Sequence, residues 1–121
     1  MGVNRAGIVV GYGWPLGGAP QHAFVYDFNQ GTMRDIGTLR GGYSFATGIN
    51  TAGDIVGESD GSAFLYRNGE MFDLNAALGG ALGNLATAMA INDHGQIVGQ
   101  AWFFDPSACG PHAFLLTAVG Q

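Results

Sequence analysis

The chain has 121 residues, a formal net charge of −5, four arginines and no lysine. Such a chain cannot neutralise a row of phosphates, so composition argues against nucleic-acid binding and against attachment to an anionic membrane. Charged residues make up only 11%, and there are 22 glycines without a collagen period, which favours a single ordered domain, or part of one, with many tight turns.

One nine-residue motif occurs three times, in residues 3–11, 49–57 and 91–99. Its pattern is Val/Ile-Asn-x-x-Gly-x-Ile/Val-Val-Gly, and starts at 3, 49 and 91 give spacings of 46 and 42 residues. Asn at the first position and Gly at the fourth favour a type I turn. The β-branched residues after the turn predict a strand, so each motif is predicted to be a β-hairpin in a repeat architecture.

A second pattern follows each hairpin: His22-Ala23-Phe24, Ser62-Ala63-Phe64 and His112-Ala113-Phe114. After two of these, turn residues lead into a further predicted strand at 31–36 and 69–74. One full repeat is therefore four short antiparallel strands, and the copies cover about 1–42, 43–84 and 85–121 of one domain. We expect two sets of equivalent residues to be buried: Phe24, Phe64 and Phe114, and Val10, Val56 and Val98.

Residues 76–89 are the one stretch that could be helical, but their three glycines argue against a stable helix. The stretch matches the inter-repeat loop at 37–44. We therefore interpret it as a longer version of that loop, with at most one helical turn.

These motifs resemble the bacterial "probable extracellular repeat, HAF family", named for the triplet found here at His22-Ala23-Phe24 and His112-Ala113-Phe114. The middle copy departs from it at Ser62. The hairpin motif and Leu39-Arg40-Gly41-Gly42 are also similar to the family, and the likeness spans essentially the whole chain. The resemblance implies an extracellular or periplasmic location but no particular reaction. No export signal precedes the first repeat, so the chain is expected to be a processed form or a fragment of a longer repeat array.

The predicted fold is all-β, built from four-stranded antiparallel units. A β-propeller-like arrangement is the first interpretation, since propeller blades have four strands in ~40 to 45 residues. The alternative is a β-trefoil, which also has three repeats of about this length.

Three residues are candidate catalytic groups. His22 and His112 occupy equivalent positions, and either could be a general base. The alternative is a hydrogen bond, encoded by the repeat, that ties a strand to its neighbour. Ser44 lies in Gly42-Tyr43-Ser44-Phe45-Ala46, which approaches a nucleophile elbow, but the strand–turn–helix context of that elbow is not predicted.

Asp54, Glu58 and Asp60 offer hard oxygen ligands that suit Ca²⁺, although not at EF-hand spacing. On a strand the three side chains would share one face, and the alternative is a solvated surface. The sequence contains no cluster typical of zinc. The single Cys109 lies in a predicted loop and cannot form an intramolecular disulfide.

The loop between the hairpin and the Ala-Phe strand differs most between copies. Insertions of this kind collect on one face of a repeat protein, often the binding face. Copies one and three place Trp14, Trp102 and Phe103 there, which are candidates for ligand contact. The alternative is that they cap the core or seal an interface between copies.

Two functions from different classes follow. The first is a non-catalytic, extracellular-type repeat module for binding or scaffolding through the variable loops. The second is a small hydrolase, in one version Ca²⁺-dependent, acting on an ester or lactone. The incomplete first and last repeats leave predicted sheet edges unpaired, so we also expect a homo-oligomer, with a six-bladed dimer as the simplest form.

Overall fold

The computed structural model of the protein describes residues 2–4, 6–13, 21–67, 69–78, 84–102 and 111–117. Their elements form three antiparallel sheets, so the all-β prediction is confirmed. Sheet 1 contains β1 (Gly2–Val3), β2 (Ile8–Gly13), β3 (His22–Asp27) and β4 (Thr32–Gly37), in that spatial order. Sheet 2 contains β5 (Ser44–Ile49), β6 (Ile55–Ser59), β7 (Ser62–Arg67) and β8 (Glu70–Asp73), also in order. Helix α1 (Leu74–Leu78) leads to sheet 3, formed by β9 (Asn84–Ile91), β10 (Gln96–Trp102) and β11 (Pro111–Thr117).

The repeated motif forms the turn that joins the first two strands of each sheet. In sheet 2 the Gly53 N–H donates to the Asn50 carbonyl at 3.1 Å, and Gly53 has φ of +92°, which an L side chain rarely adopts. The Asn50 Oδ1 atom accepts the Asp54 N–H at 2.9 Å. The turns that start at Asn4 and Asn92 close in the same way.

Successive side chains along a strand point to opposite faces of a sheet, and apolar residues lie on both faces of these sheets. We call the face toward the preceding sheet the front face and the face toward the following sheet the back face. In sheets 1 and 3 each name is also used for the face that carries the same repeat positions. Sheet 2 packs by its front face against sheet 1 and by its back face against sheet 3. The first core cluster contains Val10, Ala23, Ile36, Ala46, Ile55 and Phe64. The second contains Val56, Ala63, Leu65, Leu74, Leu85, Ala88, Ile97, Ala101 and Phe114.

The expected equivalence of the core residues does not hold at the two outer sheets. Val10 and Val56 are fully buried, but Val98 is 44% exposed, because it lies on the back face of sheet 3. Ile97, one residue earlier, fills the core instead. Phe64 and Phe114 are buried, whereas Phe24 on the front face of sheet 1 is only partly buried. Burial at a repeat position thus depends on whether a neighbouring sheet covers that face.

The interpretation of residues 76–89 as a loop needs correction. A short helix ends at Leu78, and residues 84–89 already belong to β9. This early start is set by pairing with β10, where Ala101 lies opposite Leu85 and Trp102 opposite Asn84. The Asn75 side chain also bonds both backbone groups of Leu85, at 2.6 and 3.0 Å.

Candidate functional site

Ser44 is buried at the start of β5 and joins sheet 2 to sheet 1. Its Oγ atom accepts the Ala23 N–H at 2.7 Å and donates to the Gly37 carbonyl at 2.6 Å. The hydroxyl is fully buried, and its proton is directed to a carbonyl and not to a base. The elbow-like sequence therefore encodes a contact between sheets.

His22 pairs with the carboxylate of Asp35 on the adjacent strand β4. The His22 Nδ1 atom lies 2.7 Å from Asp35 Oδ2, and the other oxygen of Asp35 accepts the Gly37 N–H at 2.7 Å. This is the strand-to-strand contact expected of the position. The Ser44 hydroxyl bonds the backbone of Ala23, the residue after His22. The described contacts therefore include a His–Asp pair, but no nucleophile is bonded to the imidazole in them. His112 is in β11 opposite Ala101, and its side chain lies outside the described residues.

The three carboxylates predicted to share a strand face are separated by the fold. Only Glu58 lies within β6, because Asp54 precedes that strand and Asp60 occupies the following tight turn with φ of +52°. Across the described residues, no group of three His, Cys, Asp or Glu side chains is placed to hold a metal ion. The three residues therefore do not all lie on β6, and calcium binding by Asp54, Glu58 and Asp60 stays a prediction.

Asp54 is held by a two-point ion pair on the back face of sheet 2. Arg67 donates from Nε to Oδ1 and from a terminal nitrogen to Oδ2, each at 2.9 Å, and Asn50 donates to Oδ2 at 3.1 Å. The Arg67 guanidinium lowers the pKa of Asp54, against the opposite effect of burial. This carboxylate is fixed in its charged form by protein groups.

Asp60 and Glu58 accept hydrogen bonds from the segment that connects sheet 1 to sheet 2. Asp60 accepts the Arg40 N–H at 2.8 Å and the Tyr43 N–H at 3.2 Å. Burial raises the pKa of Asp60, but these bonds and the Ser59 hydroxyl outweigh it, so the pKa lies below its usual value. Glu58 accepts the Tyr43 hydroxyl and, at 2.5 Å, the Thr87 hydroxyl of sheet 3.

The remaining candidates fall mostly outside the described residues. Trp14, Phe103 and Cys109 are among those not described, and Trp102 is described only as the last residue of β10. His94, the third histidine of the chain and not one of these candidates, lies in an exposed turn, where the Asn92 side chain accepts its backbone N–H at 3.0 Å.

An asparagine ladder, which sequence analysis missed, links the three sheets through the first residue of each motif turn. The Asn4 Nδ2 atom donates to the Asn50 carbonyl at 3.0 Å, and the Asn50 Nδ2 atom donates to the Asn92 carbonyl at 3.1 Å. The signal was present in the recurrence of Asn at positions 4, 50 and 92. From the sequence, this recurrence indicates only a local preference of Asn for turns. The carbonyl that accepts each Asn amide belongs to the following sheet, which the motif does not identify.

A cleft of about 260 Å³ lies between sheets 1 and 2 near the hairpin turns. Its walls include Ile8, Val25, Asp27, Thr32, Arg34 and Tyr66. None of the ion pairs found among the described residues involves Arg34. The cleft therefore combines apolar walls with one cationic side chain, Arg34, and one anionic side chain, Asp27.

Searches of protein-family models, curated proteins and solved structures found no match to this chain. In the part of the chain that the structure describes, no helix is long and apolar enough to cross a membrane.

Proposed function

We propose that this chain is a non-catalytic repeat module that binds or scaffolds through its variable loops. By its resemblance to the HAF repeats, we place it outside the cell or in the periplasm, as a homo-oligomer with no nucleic-acid partner. This proposal depends on one observation, that the side chains with catalytic or metal-binding chemistry are hydrogen-bonded to other protein groups. Ser44, Asp54, Glu58 and Asp60 all bond to protein groups, and three of them link one sheet or repeat to the next.

A propeller-like arrangement is part of the same proposal. Each described sheet is formed by consecutive strands of a single repeat, as in propeller blades, whereas a trefoil would combine hairpins from different repeats. The first strands of the three sheets also approach closely. A Cβ atom added to Gly2 would lie 3.1 Å from the Gly48 Cα, and one added to Gly48 would lie 3.3 Å from the Ala90 Cα. This side-by-side placement of first strands favours blades around a common axis.

The alternative is a small ester or lactone hydrolase, and the His22–Asp35 contact is the observation in its favour. A His–Asp pair orients a general base in many hydrolases. A panel of ester and lactone substrates, with and without EDTA, tests this alternative. We expect no turnover above that of the His22→Ala variant. Turnover that disappears in His22→Ala would overturn the non-catalytic proposal.

Ligand binding at the variable loops can be measured directly. The chain contains two tryptophans, Trp14 and Trp102, and both belong to those loops in the sequence. Intrinsic fluorescence therefore reports on the proposed binding face without a label. We expect a panel of soluble polysaccharides and small carboxylates to include compounds that shift the emission saturably. Trp14→Phe and Trp102→Phe assign the shift to one loop or to both, and the absence of a saturable shift with every compound would contradict binding there.

A further inference from the structure

We propose that the back face of sheet 3 binds the front face of sheet 1 of a second copy of this chain, so that copies assemble head to tail. This inference deepens the self-association in the proposed function by assigning it to two defined surfaces. It does not depend on whether the module is catalytic.

The back face of sheet 3 carries the apolar residues that cover a neighbour elsewhere in the same chain. In sheet 2 the corresponding positions are Val56 and Leu65, which are 0% and 7% exposed beneath sheet 3. In sheet 3 they are Val98 and Leu115, which are 44% and 60% exposed. Met89 lies in the bulge of β9, and Thr47 holds the same position in sheet 2. Thr47 bonds the Ala88 carbonyl of the following sheet, whereas Met89 is 50% exposed. Three apolar side chains on one short sheet face thus lack the cover that their counterparts have.

The front face of sheet 1 shows the complementary exposure. Val3 is 66% exposed, whereas its counterparts Ile49 and Ile91 pack against the two core clusters. Val9 and Phe24 are partly buried, whereas Ile55 and Phe64 at the same positions in sheet 2 are almost fully buried by sheet 1. This face has the residues that a back face covers at both junctions within the chain.

The asparagine ladder supplies a donor beside the first surface, the Asn92 amide, and an acceptor beside the second, the Asn4 carbonyl. The Asn50 amide bonds the Asn92 carbonyl and the Asp54 side chain at the same time. The Asn92 amide bonds the Gln96 side chain at 2.8 Å, which uses one of its two hydrogens. Among the described residues, the Asn4 carbonyl accepts only the Gly7 N–H, at 3.3 Å. A second copy that placed its Asn4 carbonyl against Asn92 would continue the ladder by one step.

These features favour a second copy over an unrelated protein. The apolar residues of both surfaces hold the same repeat positions as residues that pack together at the two junctions inside the chain. The interface uses different surfaces of the two partners, so it is heterologous and closes into a ring or continues as a filament. Two copies in a ring would cover both exposed faces of each.

The test begins with the mass of the protein in solution, by light scattering coupled to size exclusion at micromolar concentration. We expect at least twice the 12.5 kDa of one chain. Leu115→Glu and Val3→Glu each bury an unpaired charge in the proposed interface, so we expect association at least ~100-fold weaker. Both positions are exposed in the single chain, so circular dichroism and the melting temperature should show retained folding. Met89→Glu repeats the test at a third position, and Phe72→Glu, exposed in sheet 2, is the control that keeps the wild-type mass.

Mixing the two variants distinguishes head-to-tail from face-to-same-face association. Leu115→Glu keeps an intact front face and Val3→Glu an intact back face, so an equimolar mixture can form one unaltered interface. We expect the mixture to form dimers that neither variant forms alone. A monomeric wild type, or a Val3→Glu variant that associates like the wild type, would overturn the proposal. Hydrolase activity would instead overturn the non-catalytic function and leave these results unchanged.

Discussion

Asn50 stabilises its own turn and the junction with the next sheet through one side chain. Its Oδ1 atom accepts the Asp54 N–H within the turn, while its Nδ2 atom reaches the Asn92 carbonyl of sheet 3. The local half of this role follows from the known preference of Asn for turns. The second half could not be predicted, because the accepting carbonyl is 42 residues away in sequence.

We expect Asn50→Ala to lower the free energy of unfolding by about 1–3 kcal/mol, because it leaves buried backbone groups without partners. The matched control is Thr51→Ala in the same turn, where the hydroxyl forms an exposed bond to Asp93 at 2.9 Å. Urea titrations of the wild type and both variants provide the measurement. Equal losses in the two variants would show that the Asn50 bonds contribute no more than one exposed hydrogen bond.

Phe64 is the largest fully buried side chain of the described residues. We expect Phe64→Ala to cost about 3–5 kcal/mol of stability, as large-to-small changes in a packed core do. Phe72→Ala, at a position 43% exposed in the same sheet, should cost much less. Thermal and chemical unfolding of the pair test this difference, which disappears if Phe64 is not part of a tightly packed core.

The Asp54–Arg67 pair predicts a loss of stability in acid. Since Arg67 lowers the pKa of Asp54 in the folded state, the stabilisation is present above the unfolded pKa of ~3.9 and is lost as pH falls through the lower folded value. We therefore expect the urea midpoint of the wild type to fall more steeply below about pH 4 than that of Asp54→Asn. Parallel slopes for the two proteins would contradict the assigned role of the ion pair.

At the scale of elements, the repeated turns and strands were accessible from sequence because they are encoded locally. Asn followed three residues later by Gly, then β-branched residues, specifies each hairpin. The start of β9 was not accessible, since residues 84–89 become a strand through pairing with β10 and through Asn75. The glycines before them led to the loop interpretation.

Sheet 2 is the one described sheet with another sheet packed against each face, which predicts an order of local opening. Repeat proteins are stabilised largely by contacts between neighbouring units, so outer units open first. We expect the amides of β6 and β7 to exchange with solvent most slowly, measured by hydrogen exchange on the monomeric Leu115→Glu variant. Faster exchange in sheet 2 than in sheet 3 would contradict this order.

For the whole molecule, sequence analysis predicted an all-β repeat protein but not which face of each sheet is covered. Val98 shows the reason. Its motif is like that of Val56, yet its burial is set by the presence of a following sheet, which the motif does not encode. The candidate site was anticipated only as residue types. Sequence analysis named Ser44 as a candidate nucleophile and the carboxylates as candidate calcium ligands. It could not show that Ser44, Glu58 and Asp60 bond across junctions between repeats, whereas Asp54 bonds Arg67 of its own sheet.

Removing divalent metal should leave the melting temperature unchanged, because Asp54, Glu58 and Asp60 are bonded to separate protein groups. A bound ion would stabilise the native state by mass action, so its loss would lower the melting temperature. Melts in EDTA and in excess calcium test this. A drop in EDTA that calcium reverses would restore the calcium site as a candidate.

The ladder from Asn4 to Asn50 to Asn92 also bears on how such a protein can change in length. Each unit carries the donor for the unit after it and the acceptor for the unit before it. Duplication of one repeat in the gene would therefore add a sheet that carries both the donor and the acceptor of the ladder. Growth by whole units is the evolutionary route that this architecture leaves open, and the differing loops are where the copies can diverge afterwards.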